Sequence, residues 1–192
     1  MEFTSDWFSH NIPVWSEYIV PLAIQPLQIL EIGSHEGRSA VWMLENIVKD
    51  PESRLSCVDL WESSEAQRRF RANISETGHS SQVAEYPGDS LTFLKSVEES
   101  FDLIYIDGSH EARDVLTDAA LCWLVLKPGG LLIFDDYQWS GPVEFPPRNA
   151  IDVFLQLWSM EIEVIHKAYQ VIVRRQNSIK KHVAESLNPD HR

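Results

Sequence analysis

The feature that most constrains the fold is a regular alternation of short apolar runs with stretches of helical spacing. Between the runs, apolar residues recur every three or four positions, which is typical of amphipathic helices. Strands that alternate with helices predict parallel crossover units in a doubly wound sheet. Only the last two runs, EIEVIHK (161–167) and YQVIVRR (169–175), follow each other without a helix. They predict an antiparallel hairpin at one edge of the sheet.

The whole pattern predicts an α/β protein with a seven-stranded, mostly parallel, Rossmann-like sheet. The predicted strands are residues 27–32, 54–60, 82–86, 101–107, 131–136, 161–167 and 169–175. The predicted helices are residues 37–49, 63–76, 89–97, 110–126 and 150–158, with a turn at 127–130. A length of 192 residues suits one domain. We divide it into an N-terminal segment (1–26), a core (27–175) and a tail (176–192).

Charge and composition narrow the classes of partner and location. The net charge of −13 argues against nucleic acid or an anionic membrane surface as the main partner, because phosphates attract Lys and Arg. No apolar segment approaches the roughly 20 residues of a membrane helix, and the start of the chain lacks the pattern of a secretion signal. Cys57 and Cys122 lie in apolar stretches and are interpreted as buried, reduced thiols of a cytoplasmic protein. A homo-oligomer is left open.

Acidic residues follow the predicted strands where each strand ends. They are Glu31, Asp59, Asp107, Asp135 and Asp136. In a doubly wound sheet, ligands bind outside the carboxyl ends of the strands. Each acid alone could be a polar strand end or a helix cap. Their recurrence at successive strand ends favours a ligand-binding cleft.

The loop after the first strand, EIGSHEGRS (31–39), has the residues for a close approach to a ligand. Gly33 and Gly37 permit a tight turn, although an ordinary strand-to-helix turn would use them too. The loop is not the G-x-G-x-x-G fingerprint. Asp59 lies about 20 residues beyond Gly37, where nucleotide-binding folds place an acid on the ribose. GDS (88–90) could border an adenine or cap the next helix.

Five motifs together resemble a known family. They are EIGSHEGRSAVW, CVDLWE, GDS, FDLIYIDGSH and LKPGGLLIFDDY, which extend over residues 27–137. The chain resembles class I S-adenosylmethionine-dependent methyltransferases, and more narrowly the compact group that includes metal-dependent macrolide-sugar (macrocin-type) O-methyltransferases. In one departure, His35 stands where many methyltransferases have a third glycine. The resemblance implies a Rossmann-like methyltransferase fold.

The resemblance also implies a binding site for S-adenosylmethionine. Glu31, Gly33 and Gly37 would border the methionine part, Asp59 would hold the ribose, and Asp89 with Ser90 would flank the adenine. The implied cofactor-binding residues are Glu31, Gly33, Ser34, Gly37, Asp59, Leu60, Trp61, Gly88, Asp89, Ser90 and Asp107.

Asp107, Asp135 and Asp136 match the acids that hold a divalent ion in metal-dependent members of this fold. Three carboxylates in one cleft repel one another, and a cation removes that cost. Hard oxygen ligands favour Mg²⁺, with Mn²⁺ or Ca²⁺ as alternatives. The alternative is that Asp107 or Asp136 binds cofactor or caps a helix, without a metal.

The predicted reaction is direct methyl transfer to a hydroxyl group. Asp107 and His110 are the predicted catalytic residues, with His110 as the base on the first turn of a helix. A surface or capping role for His110 is the alternative. The predicted acceptor is a hydroxylated small molecule, such as a sugar or a natural-product intermediate. The N-terminal segment and loop 137–149 carry aromatic residues that would shape its pocket, with core packing or a dimer contact as the alternative.

Three other functions stay open at this point. An NAD-dependent dehydrogenase would share the acid on the ribose but lacks the glycine fingerprint. A methyltransferase-like domain could bind a ligand or partner without turnover. A metal-free methyltransferase acting on nitrogen or carbon is the nearest alternative.

Overall fold

A computed structural model describes residues 1–177, and its centre is a single seven-stranded sheet. The strands are β1 (Gln28–Ile32), β2 (Arg54–Asp59), β3 (Val83–Pro87), β4 (Phe101–Ile106), β5 (Leu126–Phe134), β6 (Ile162–Lys167) and β7 (Val171–Arg175). Their order across the sheet is β3-β2-β1-β4-β5-β7-β6. Strands β1 to β5 pair in parallel, and β7 is antiparallel to both β5 and β6. The predicted mixed sheet with a C-terminal hairpin is confirmed.

Helices cover both faces of this sheet. They are α1 (Ile12–Tyr18), α2 (Arg38–Asn46), α3 (Ser64–Glu76), α4 (Ser90–Ser96), α5 (Ala112–Val125) and α6 (Pro147–Leu157). Short 3₁₀ helices occupy Ser9–Asn11, Val20–Ile24 and Ser80–Gln82. Adjacent residues of a strand point to opposite faces, so Ile29 packs in the core under α1 to α3 and Leu30 in the core under α4 to α6.

The register of the central strands brings their carboxyl ends to one edge. Ile32 of β1 is aligned with Val58 of β2 and with Ile106 of β4. The chain keeps its pairing just past the strands, because the Asp107 N–H donates to the Ile32 carbonyl at 2.8 Å and the Asp135 N–H donates to the Ile106 carbonyl at 3.0 Å. The acids that follow these strands therefore lie along the same edge.

Three differences from the predicted element boundaries affect the sheet or the site. The predicted turn 127–130 belongs to β5, which begins at Leu126 opposite Phe101 and then shifts register. Helix α5 begins at Ala112, so His110 lies in the loop before the helix and not on its first turn. Helix α6 begins at Pro147, because proline needs no N–H at a first helical position.

Residues 178–192 lie outside the described part of the chain, and with them most of the predicted tail. Cys57 and Cys122 are buried free thiols, as predicted. Over residues 1–177, no helix has the length and apolar character needed to cross a membrane. The division of the chain into a segment, a core and a tail stays a prediction.

Candidate cofactor and active site

A cavity of about 1150 Å³ lies at the carboxyl ends of the strands. Its volume is slightly above the upper end of the roughly 300–1,000 Å³ typical of small-molecule sites, which leaves room for a second ligand beside a cofactor. The predicted residues that line it are Gly33, Asp59, Leu60, Gly88, Asp89, Ser90, Asp107, His110, Asp135 and Asp136. The structure therefore brings most of the predicted site residues to one place. The exceptions are Glu31, Ser34, Gly37 and Trp61.

The glycine loop brings the backbones that follow β1 and β4 into direct contact. Gly33 has a φ of +88°, and a Cβ atom at this position would lie 2.0 Å from the carbonyl oxygen of Asp107. Only glycine fits both the conformation and the space. Gly37 has a different role: a Cβ there would lie 2.8 Å from the ring of Phe70, so its contact is with α3 and not with the cavity.

Glu31 lies beneath the glycine loop and is fully buried. Its carboxylate accepts hydrogen bonds from the hydroxyls of Ser34, at 2.6 Å, and Ser39, and the Cys57 sulfur lies 3.6 Å away. Burial raises the pKa of Glu31 to about 7, although the two serine hydroxyls favour the ionised form. Glu31 and Ser34 therefore support the loop from below, and direct contact of Glu31 with cofactor stays a prediction.

We expect Glu31→Gln to reduce the pH dependence of stability. The pKa of Glu31 in the fold, about 7, lies above the usual value, so its contribution is complete at low pH and is lost as the pH rises through 7. A shift of this size corresponds to roughly 3 kcal/mol. Urea unfolding at about pH 5 and about pH 8 should show a larger loss of stability in the wild type than in Glu31→Gln.

Glu36→Gln is the matched control. Burial alone would raise the pKa of Glu36, but hydrogen bonds from Thr4 and Arg69 hold it below its usual value. Its contribution is present at both pH values, so this variant should keep the wild-type decline. An equal decline in Glu31→Gln and the wild type would contradict the assignment to Glu31.

Backbone donors hold Asp59 at the cavity wall. One of its oxygens accepts from the His35 N–H at 2.8 Å, and the other accepts from the Trp61 N–H at 2.6 Å. The Trp61 indole packs on Phe70 and donates to the His35 carbonyl at 2.7 Å, so it supports the wall from behind. Leu60 is 60% exposed and presents an apolar side chain to the cavity.

Beside the wall formed after β3, helix α5 contributes an acid, Asp118, that the sequence analysis missed. Asp89 caps α4, because its two oxygens accept from the backbone N–H and the hydroxyl of Thr92, each at 2.8 Å. The Ser90 hydroxyl donates to Asp118 of α5 at 2.6 Å. Burial raises the pKa of Asp118 to about 6. In the sequence, Asp118 is an acid on the otherwise apolar face of α5, and this pattern could have revealed it.

His110 and Asp136 are hydrogen-bonded to each other in the lining of the same cavity. The His110 Nε2 lies 3.0 Å from an Asp136 carboxylate oxygen, and this bond raises the pKa of His110. The imidazole packs against Trp139, with 4.4 Å between the ring centroids. The other Asp136 oxygen accepts from the Tyr169 hydroxyl at 2.9 Å. Tyr169 lies in the turn between β6 and β7 and was not predicted, because its sequence context is that of an ordinary hairpin.

Asp107 and Asp135 meet at a buried phenol. The Tyr105 hydroxyl lies 2.9 Å from Asp107 and also contacts Asp135, which accepts in addition from the Gln170 amide at 2.8 Å. Burial, together with the negative charges of Asp135 and Asp136, raises the pKa of Asp107 well above its usual range. Burial likewise raises the pKa of Asp135.

The three predicted metal ligands do not form one cluster. Within residues 1–177, no group of three or more His, Cys, Asp or Glu side chains has an arrangement that could hold a metal ion. The chain turns at Asp136, which has a φ of +59°, and its carboxylate bonds His110 and Tyr169 instead. The chemistry of the donor set still suits a hard cation, because these carboxylates place excess negative charge in one wall.

The N-terminal segment forms a further part of the wall. Asp6, Trp7 and His10 line the cavity, and the Trp7 ring lies 5.2 Å from that of His35. Phe8 and Trp15 are instead buried in the core, as the packing alternative predicted. In loop 137–149, the structure places Trp139 in the cavity wall, whereas the side chain of Phe145 is exposed to solvent.

Comparison with known proteins agrees with this geometry. Residues 30–137, more than half of the chain, match the family described as Methyltransferase domain. The chain belongs to this family. It is 29% identical over 138 residues to an uncharacterized protein of Acanthamoeba polyphaga mimivirus, a match that covers 68% of this chain and 61% of that protein. It is 30% identical over 117 residues to an O-methyltransferase, hkm8, of Aspergillus hancockii. This match covers 60% of this chain and 44% of that protein. The chain thus spans about half the length of these relatives.

Solved structures share the fold of this methyltransferase domain. The O-methyltransferase from Bacillus cereus in complex with S-adenosylhomocysteine superposes with a TM-score of 0.72 at 17% identity, over 91% of this chain and 84% of that one. MycE, a methyltransferase of the mycinamycin biosynthetic pathway in complex with Mg, S-adenosylhomocysteine and mycinamycin VI, gives 0.67 at 17% identity, over 97% and 54%. The predicted class I methyltransferase fold is confirmed.

Proposed function

We propose that this protein is an S-adenosylmethionine-dependent O-methyltransferase that acts on a hydroxyl group of a small molecule. The observation that carries the proposal is one cavity with two chemically distinct walls. Asp59 is fixed by backbone donors at one wall, and the hydrogen-bonded His110–Asp136 pair lies at another. The first suits a ribose diol, and the second suits removal of a proton from an acceptor.

The cofactor would lie across the ends of β1, β2 and β3. Each Asp59 oxygen accepts one backbone N–H and keeps a second lone pair for a ribose hydroxyl. Gly33 lets the methionine part approach the backbone of the loop. Once bound, S-adenosylmethionine supplies an electrophilic methyl group on a sulfonium. The chain's contribution is to hold that methyl group at attack distance from the acceptor oxygen.

His110 is the proposed base. Its Nε2 is bonded to Asp136, which orients the ring and stabilises the imidazolium that forms on proton uptake. Nδ1 has no hydrogen-bond partner among residues 1–177 and is the nitrogen that would take the acceptor proton. As the oxygen–methyl bond forms and the sulfur–methyl bond breaks, His110 would hold the proton and the sulfur would leave as a neutral thioether.

A divalent ion is a separate part of the proposal. Asp107, Asp135 and Asp136 are the residues that would hold Mg²⁺, and they fit it by charge and by their hard oxygen donors. When bound, the ion would supply Lewis acidity that lowers the pKa of the acceptor hydroxyl. The hydrogen bonds of the Asp136 carboxylate to His110 and Tyr169 favour, as the second candidate, a methyltransferase that needs no metal.

Aromatic side chains support a ring-shaped, hydroxylated acceptor. Trp139 packs on His110, Tyr169 bonds Asp136, and His10 packs on Tyr169. Trp7 lines the same cavity beside His35. Flat apolar faces beside polar groups suit sugars and natural-product rings. MycE, in complex with mycinamycin VI, has the same fold. The cytoplasmic location, the exclusion of nucleic acid and membrane, and the homo-oligomer remain predictions.

Calorimetric titration of S-adenosylmethionine and S-adenosylhomocysteine into wild type and Asp59→Asn tests the cofactor site. Loss of charge-assisted hydrogen bonds to the ribose should weaken binding by about 10- to 100-fold. Glu62→Gln is the matched control, because Glu62 is exposed three residues further on and does not line the cavity. A wild type that binds neither compound would refute the proposal.

Titration of Mg²⁺ into the wild type saturated with S-adenosylhomocysteine tests the ion. Binding heat that is lost in Asp107→Asn would support the metal-assisted reaction. If the wild type gives no heat and EDTA leaves methyl transfer unchanged, the metal-free reaction replaces it.

A further inference from the structure

We propose that Asp118 binds the 6-amino group of the cofactor's adenine and so makes the site selective for adenosyl over inosyl ligands. This inference rests on the proposed function, since it requires an adenosyl cofactor in the cavity. It assigns a specificity-determining role to a residue outside the motifs that carry the family resemblance.

Asp118 is a buried acid with one oxygen available to a ligand. Its residue exposure is only 4%, and it lines the cavity from α5 together with Thr117. Oδ1 accepts the Ser90 hydroxyl at 2.6 Å, which fixes the carboxyl group. Oδ2 has no hydrogen-bond partner, and the carboxyl group has no Lys or Arg partner, among the residues that the structure describes. Oδ2 therefore keeps its lone pairs for an N–H donor of a ligand in the cavity.

The surroundings of Asp118 suit a planar base. Val58, Leu60 and Leu91 supply apolar surface to the same cavity, and Leu91 directly follows Ser90. Asp89, the other acid of this wall, is fixed as the cap of α4, and each of its oxygens already accepts one hydrogen bond from Thr92. Asp118 differs because its Oδ2 accepts none from the described residues, so we assign the exocyclic amino group to it.

The charge state of Asp118 determines which base is accepted. Burial raises its pKa to about 6, with the Ser90 hydrogen bond opposing the shift and the charges of Asp114 and Asp89 adding to it. Above this pH the group is a carboxylate, which only accepts hydrogen bonds. Adenine presents a donor at position 6, whereas hypoxanthine presents a carbonyl oxygen that a carboxylate repels. A site built to accept an N–H rejects the analogue that lacks it.

Binding of S-adenosylhomocysteine and S-inosylhomocysteine, measured by calorimetry at about pH 8, tests the proposal. We expect the wild type to prefer the adenosyl compound by about 100-fold or more. Asp118→Asn should reduce this preference to less than about 10-fold, because an amide can turn its NH₂ toward the 6-oxo group. Circular dichroism and the melting temperature of each variant establish that it is folded.

Asp114→Asn is the matched control. Asp114 lies one helical turn earlier on α5 and also lines the cavity, but its two oxygens contact the Ser109 hydroxyl at 3.0 Å and the Arg113 side chain at 3.3 Å. This variant should keep the wild-type preference. If Asp114→Asn loses the preference for the adenosyl compound and Asp118→Asn keeps it, the assignment to Asp118 is overturned.

The outcomes separate this inference from the proposed function. If the wild type binds both compounds equally, the cofactor site stands and the role of Asp118 is refuted. If Asp118→Asn is folded and keeps the full preference, the role is refuted as well. If the wild type binds neither compound, the proposed function fails first and this inference falls with it.

Discussion

Replacing His110 by alanine is expected to lower the turnover of methyl transfer by about 10²- to 10⁴-fold, the usual contribution of a positioned general base. The imidazole lies in the cavity wall, bonded to Asp136 and packed on Trp139. The binding of S-adenosylhomocysteine should change little, because the ribose is held by Asp59 at another wall. The measurement is single-turnover transfer of a labelled methyl group, with the dissociation constant determined on the same preparation.

His166→Ala provides the comparison for this variant. His166 lies in the edge strand β6 and does not line the cavity, so its removal should leave turnover near the wild-type value. Turnover of His110→Ala within about threefold of the wild type would exclude His110 as the base. A loss of cofactor binding equal to the loss of turnover would instead assign His110 to the cofactor site.

The second large effect is expected for Gly33→Ala. The new Cβ atom would have to fit 2.0 Å from the carbonyl oxygen of Asp107, in a conformation with a φ of +88°. Strain of the left-handed backbone and displacement of the neighbouring loop together should cost roughly 2 to 4 kcal/mol of stability. Movement of the Asp107 loop should also weaken cofactor binding. Urea unfolding and calorimetry measure the two effects.

Gly78→Ala separates the cost of the left-handed backbone from the cost of the contact with Asp107. Gly78 has a similar φ of +76°, but a Cβ there would have no atom within 4 Å. Its cost should be about 1 kcal/mol, that of the backbone conformation alone, with cofactor binding unchanged. Similar losses of stability in the two variants would show that contact between the loops after β1 and β4 is not what requires glycine at position 33.

The sequence predicts well what depends on the sheet alone. Parallel strands end at one edge, so acids that directly follow them must meet there, and the structure places Asp59, Asp107 and Asp135 in the lining of one cavity. The strand pattern does not predict where the side chain of the next residue, Asp136, lies. Asp136 follows the same strand as Asp135, but a local turn takes its carboxylate to His110 and Tyr169, which no strand pattern reveals.

Other parts of the site depend on tertiary packing that periodicity does not encode. Asp118 reaches the cavity only because of the rotation of α5 about its axis, which is set by packing against α4 and α6. Trp7 and Phe8 are neighbours in the sequence, yet one lines the cavity and the other is buried in the core. The aromatic character of these two residues does not indicate which of them lines the cavity and which packs in the core.

The cavity walls differ in how the chain supports them. Asp59 and Asp107 directly follow paired strands of the sheet, whereas Trp7 and Trp139 lie in segments that no strand pairing holds. Substitution of Trp7 or Trp139 would therefore leave the strand pairing intact, whereas Phe8 and Trp15 of the N-terminal segment belong to the core that packs on the sheet. Under the proposed function, replacing Trp7 or Trp139 would change which acceptors fit the cavity while the strands that position Asp59 and Asp107 stay paired.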